Sequence, residues 1–177
     1  APPLPFRGSL MDFVLDYISV STFWTILSIF HALLAVALLG ALTHQAAAVL
    51  APPRAGATGG FVTHFRSVSG PRYAAAVCVL WVLVFIFGGW IYTRYRFHVR
   101  VLIEQEALFK TLGAFEVKEH VATIGLGLLP AYWHFWKNAR DAAYDSARKW
   151  LTVVLAAICW YAFLAGHIVN NVRGFGL

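Results

Sequence analysis

The chain has 177 residues, of which 60% are hydrophobic and only 12% charged, and its mean hydropathy is +0.68. A soluble domain carries about twice that share of charge, so a water-soluble globule is excluded and an integral membrane protein is predicted. The net charge of +6 comes without any run of five or six basic residues. Arginines instead sit beside apolar segments, as membrane-flanking charge does, which argues against a nucleic-acid partner.

Residues 1–9 are rich in proline and read as an extended arm over the surface. The chain starts Ala-Pro-Pro-Leu-Pro without an initiator Met, and residues 1–20 lack the basic-then-apolar order of a signal peptide. Loss of Met from a Met-Ala start and cleavage of a longer precursor both fit that start. Residues 10–20 place Leu10, Phe13, Val14, Tyr17 and Ile18 at loosely helical spacing, which predicts a short interfacial helix. The first span, 22–50, carries His31 and His44. Pro52-Pro53 ends it, and Gly56, Gly59 and Gly60 extend the break.

Gly70-Pro71 precedes the second span, 74–97, in which Ala74 to Tyr92 runs nineteen positions without a charge. The stretch from Arg94 to Lys118 mixes both charges with Leu, Ile and Phe, and is expected to extend the helices beyond the bilayer or to cap one side. The third span, 115–137, opens on Phe115-Glu116-Val117-Lys118-Glu119-His120, carries His134, and contains Pro130, which removes the bond to the Leu126 carbonyl. The fourth, 150–172, contains His167. Trp133, Trp136 and Trp150 flank the last loop as interfacial aromatics. Cys78 and Cys159 lie within apolar runs, where a free thiol packs as a small hydrophobe and makes no metal pattern.

The predicted fold is all-α: one transmembrane four-helix bundle, with a short interfacial helix before the first span and both termini on the same side, side A. Side A holds Arg7, Arg94, Arg96, Arg100, Lys110, Lys118 and Arg173; side B holds Arg54, Arg66, Arg72, Lys137, Arg140, Arg148 and Lys149. The count is even, so basic residues alone do not orient the chain. Side B has the purer basic loops and is read as the cytoplasmic side.

His120 and His134 are fourteen residues apart. Fourteen steps of ~100° return to within about 40° of the starting face, over a rise of roughly 21 Å. Gly127 lies midway on the same stripe, where a missing side chain admits something bulky. Ionisable residues inside a span are costly and point to function, and two imidazoles on one helix face suit axial ligation of haem. His31 pairs in depth with His120, and His44 with His134, because the first and third helices run the same way. His31 and His44 are thirteen apart, leaving their rings about 140° apart on a regular helix. His167 reaches the depth of His120 across the last hairpin and is an equal alternative to His31, and one haem or two remain open. His64 and His98 read as interfacial or loop histidines.

On these residues the chain resembles the membrane cytochrome b class, in which two helices of a four-helix bundle each present a histidine pair with thirteen residues between them. The resemblance rests on His120 and His134. It implies haem b, one or two, held by His120, His134, His31, His44 or His167, with electron transfer as a subunit of a respiratory or photosynthetic complex. It implies other membrane subunits as partners, with a quinone or a c-type cytochrome exchanging electrons, in a bacterial inner membrane. The chain is also similar to small four-helix membrane proteins associated with haem–copper oxidase maturation. Those carry histidines in the first and third spans and a basic, histidine-bearing loop before the second, here Thr63-His64-Phe65-Arg66. The loop before the fourth span, Ala147-Arg148-Lys149-Trp150, has no histidine and departs from that pattern.

Two other functions fit the residues. Glu116, Glu119 and His120 share a helix end, with Glu116 and His120 four apart on one face, and this set suits a quinone-reactive subunit without haem. A solvated helix end with Lys118 as partner is the plainer account. The other is a non-catalytic accessory or assembly subunit. No Glu-x-x-His, phosphate loop, nucleophile elbow or zinc-protease motif is present.

Overall fold

A computed structural model describes residues 19–53 and 59–172. The predicted arm and the predicted interfacial helix lie outside these residues, apart from Ser19 and Val20. Every regular element among the described residues is helical. Helix α1 is Val20–Leu50 and the short α2 is Phe61–Arg66. Helix α3, Gly70–Arg94, passes through a π turn, Tyr95–Val99, into α4, Arg100–Gln105. Helix α5 is Phe109–Lys137, and a 3-10 turn, Ala142–Tyr144, leads into α6, Asp145–Val172. Val20–Leu50, Gly70–Gln105 and Ala142–Asn171 are each long and apolar enough to cross a membrane, which fits an integral membrane protein with lipid-facing surfaces. The fourth long helix, α5, is more polar along its length: Lys110, Glu116, Lys118 and Glu119 lie in its N-terminal half, and His134 and Lys137 in its last turn.

Local chemistry sets the helix ends. Ser19 Oγ accepts from Thr22 N at 3.1 Å and caps α1. Pro52 stands two residues beyond its last turn, and Pro71 occupies the first turn of α3, where its missing N–H costs nothing. The second and third rods outrun their apolar segments, covering 70–105 and 109–137 where hydropathy marks 74–97 and 115–137. Arg100 pairs with Glu104 at 2.7 Å and with Glu116 at 3.3 Å, so the polar residues on both sides of the connection satisfy one another. The π turn has a visible use. Ile91, Tyr95, Val99 and Ile103 are all buried at intervals of four. On a regular helix that stripe drifts ~40° per step, and the wider turn holds it against the core.

The long helices pack in a ring, α1 against α3, α3 against α5, α5 against α6 and α6 against α1, so that α1 and α5 stand on a diagonal. Two glycines permit the closest approaches. A side chain at Gly125 would overlap the Trp81 ring, and one at Gly70 would overlap Trp136. The core at the α1 C-terminal end contains Leu42, Val77, Trp81, Tyr132 and Leu155; a second cluster at the opposite end contains Tyr95, Val99, Ile103, Leu112, Phe115 and Val169. In the second, Tyr95 stacks on Phe115 with ring centroids 4.0 Å apart.

The first core encloses a chain of polar groups. Gln45 Nε2 donates to the Gly70 carbonyl at 3.2 Å, and Tyr132 Oη donates to Gln45 Oε1. Trp136 Nε1 donates to Thr152 Oγ1 at 3.2 Å, and that hydroxyl donates to the Arg148 carbonyl at 2.7 Å. Gln45, Tyr132 and Thr152 are completely buried. Among apolar helices, paired polar groups of this kind fix which helix faces which, because an unpaired group is costly there. Tyr132→Phe leaves the Gln45 carbonyl oxygen buried without its donor, and is expected to cost about 1–3 kcal/mol by thermal unfolding in detergent. A Gln45→Leu/Tyr132→Phe pair is expected to recover part of that loss, since both partners are then apolar. A double variant that loses the sum of the two single losses would show that the bond is not what couples α1 to α5.

Candidate functional site

Burial on α5 repeats every seven residues. Gly125 and Tyr132 face the core, and Lys118, one step earlier, is half-buried. His120, Gly127 and His134 follow these three by two positions each, which is ~200° around the helix. All three are exposed. The histidine–glycine stripe therefore lies on the outer face of the ring of helices, and nothing comes within 4 Å of the space a Gly127 side chain would fill.

The ring of His120 is already oriented. Its Nδ1 lies 2.7 Å from the Glu116 carbonyl of the preceding turn. A carbonyl only accepts, so Nδ1 carries a proton, and in the neutral ring the lone pair belongs to Nε2. This is the tautomer that a metal-ligating histidine needs, with the bond to the carbonyl setting the ring plane. His134 stands edge-on to Phe135 and Tyr144 at centroid distances of 5.6 and 5.7 Å.

The remaining sequence-predicted residues are separated from this stripe. His44 Nδ1 donates to the Phe65 carbonyl at 3.0 Å, and the Phe65 ring covers the imidazole at 3.9 Å, tying α1 to α2. His31 packs its Cε1 where a Gly88 side chain would stand, and its Nδ1 is buried without a partner. His167 is exposed on α6, its ring parallel to Phe163 at 6.4 Å. Among the described residues no two of these imidazoles are in ring contact, and no three His, Cys, Asp or Glu residues converge as a metal site. His44 and His134 share a depth, but between their helices at that depth Gln45 and Tyr132 meet in a filled interior.

The donor chemistry of a haem axial ligand is thus present at His120, and the open flank at Gly127 suits a flat, bulky group. The space for that group is outside the ring of helices. The second carboxylate–histidine set is paired off: Glu116 with Arg100 at 3.3 Å and Glu119 with Lys118 at 2.7 Å. The Lys118 ammonium also lies 4.3 Å from the centroid of the Phe115 ring.

Spacing alone passes over two features. Arg148 is buried at the α5–α6 connection and donates to the carbonyls of Phe135, Asn138 and Asp141 at 3.3, 3.1 and 3.0 Å, and to the Asp145 carboxylate. A groove of about 490 Å³ opens beside that connection, lined by Pro71, Lys137, Asn138, Ala139, Arg140 and Asp141. The Arg148-Lys149-Trp150 run at a span boundary was the only sequence signal for the first, and the basic last loop the only one for the second. No protein-family model, curated protein or solved structure matches this chain.

Proposed function

We propose that the protein is a four-span membrane subunit of a bacterial respiratory or photosynthetic complex, both termini on one side, and that α5 supplies axial ligands to b-type haem at the boundary with a neighbouring subunit. The observation that carries this reading is the outward stripe His120–Gly127–His134, with the His120 proton held on Nδ1 by the Glu116 carbonyl. Imidazoles turned towards lipid are costly, and an outward pair at two depths is accounted for when something polarisable covers it. A b-type haem, when bound, supplies one-electron redox chemistry without an open coordination position. The chain's own part would be to present Nε2 of His120 and an imidazole of His134, to keep Gly127 clear, and to leave the remaining ligands to a partner helix. A quinone or a c-type cytochrome is the electron donor or acceptor that suits such a subunit.

The test is a reduced-minus-oxidised spectrum of the complex purified through this chain. A b-type α-band is expected, and it should lose amplitude in His120→Ala and in His134→Ala while Tyr132, on the opposite face, can be changed to Phe without altering it. A purified complex with no b-type band rules the haem reading out. One observation favours an accessory role instead: the interior around Gln45, Tyr132 and Thr152 is closed and fully hydrogen-bonded, as in a scaffold. In that case the histidine variants should alter co-purification of partner subunits and leave any spectrum unchanged.

A further inference from the structure

We propose that the groove between the first turn of α3 and the α5–α6 connection binds the phosphodiester headgroup of an anionic lipid. Its volume of about 490 Å³ falls within the range of ligand clefts, roughly 300–1,000 Å³. Lys137 and Arg140 line it, both are exposed, and neither makes an ion pair among the described residues. Arg72, next to the lining Pro71, is exposed and likewise without an ion pair. The one acid in the lining is Asp141, whose Oδ1 accepts from Ala143 N at 2.9 Å. Asn138 is turned to its own helix, with Nδ2 donating to the His134 carbonyl at 3.0 Å. The α3 wall is also a helix start whose N-cap, Ser69, makes no side-chain capping bond, which adds the positive end of that helix's dipole.

Two of these basic residues line one concavity, which separates the groove from charge spread along a helix end. At the far end Arg100 is matched by Glu104 and Glu116 and Lys118 by Glu119, while Arg96 and Lys110 make no ion pair among the described residues and line no groove with one another. At the groove end, among the described residues, Asp145 is taken by the buried Arg148, and Lys137 and Arg140 line the groove without an ion-pair partner. A phosphate is the anion this set fits, with a guanidinium for two oxygens and an ammonium as point charge. A lipid is its favoured source. The groove lies one turn beyond Trp133, which together with Trp150 is exposed at this end in the position of headgroup-level aromatics. Basic pockets between membrane helices are known to hold such headgroups.

The experiment uses the full chain in a neutral detergent, titrated with short-chain phosphatidylglycerol, short-chain phosphatidylcholine or inorganic phosphate, with bound ligand counted by native mass spectrometry. Phosphatidylglycerol is expected to bind at least tenfold more tightly than phosphatidylcholine, with affinity falling as salt rises. K137Q/R140Q is expected to weaken it about thirtyfold, from roughly fivefold per basic residue near the membrane surface. Both side chains are exposed and unpaired, so the thermal unfolding of this variant should match the parent. Lys110→Gln, at the other end, should leave binding unchanged. Equal affinity for the two lipids, equal loss in Lys110→Gln, or unchanged binding in K137Q/R140Q overturns the proposal. Tight binding of inorganic phosphate that phosphatidylglycerol does not displace overturns the lipid source.

Discussion

Arg148→Met is expected to destabilise the protein by about 3 kcal/mol and to loosen the α5–α6 connection before the rest of the chain. The guanidinium is 5% exposed and serves the carbonyls of Phe135, Asn138 and Asp141 together with the Asp145 carboxylate. Two of those carbonyls belong to the last turn of α5 and the residue after it, where a helix has no bonding partners of its own. Removing the side chain leaves them to compete for water at a partly buried turn, and hydrogen bonds to a charged donor contribute about 1.5–3 kcal/mol each before compensation. The Asp145 carboxylate faces solvent, so its loss of partner adds little. Arg148→Lys is expected to recover less than half of the loss, because an ammonium point charge cannot reach the same set of acceptors as a planar fork. Thermal unfolding in detergent measures the loss, and hydrogen exchange at residues 135–146 locates it. Equal stability of Arg148→Met and the parent would mean that water or the loop backbone replaces the guanidinium without cost.

Gly125→Val is expected to be the most damaging single change within the long helices, at 3 kcal/mol or more by the same order-of-magnitude scale. The added side chain would overlap the Trp81 ring, which is 4% exposed and whose Nε1 donates to the Ala122 carbonyl at 3.3 Å. The indole cannot retreat without giving up that bond and displacing the core around it, so α3 and α5 must separate. Gly127→Ala provides the internal control. It lies two residues further, on the open face, and the change should be neutral or stabilising by up to about 1 kcal/mol from helix propensity alone. The comparison is read as expression level and thermal unfolding of the two variants in one detergent. Similar losses in both would show that α5 is not turned as described.

These two glycines also show how far the sequence reaches. The hydropathy of Thr22 to Leu50 and of Ala74 to Tyr92 is enough to predict long membrane helices, because crossing a bilayer demands length and apolarity and little else. The prolines at 52, 53 and 71 mark where chain direction changes, for reasons internal to the proline ring. What hydropathy underestimates is length, since Arg100, Glu104 and Glu116 sustain helix through mutual pairing that no window average contains. Gln45 and Tyr132 are 87 residues apart and meet only because their helices cross the ring diagonally, so neither signals a partner by spacing. The same is true of Arg148, whose acceptors are backbone carbonyls that any sequence would supply.

The sequence by itself determined that this is a helical membrane protein and that His120, Gly127 and His134 share one face of one helix, since helical period is a local property of the backbone. Only the tertiary structure decided that this face looks outward while Gly125 and Tyr132, two residues away, look in. In water, hydrophobicity tells the two faces apart. In a bilayer lipid is as apolar as a core, so the inner face is chosen by close approach at Gly125 and Gly70 and by the Gln45–Tyr132 bond. Those contacts join residues far apart in the chain, and a pattern read along one helix does not contain them.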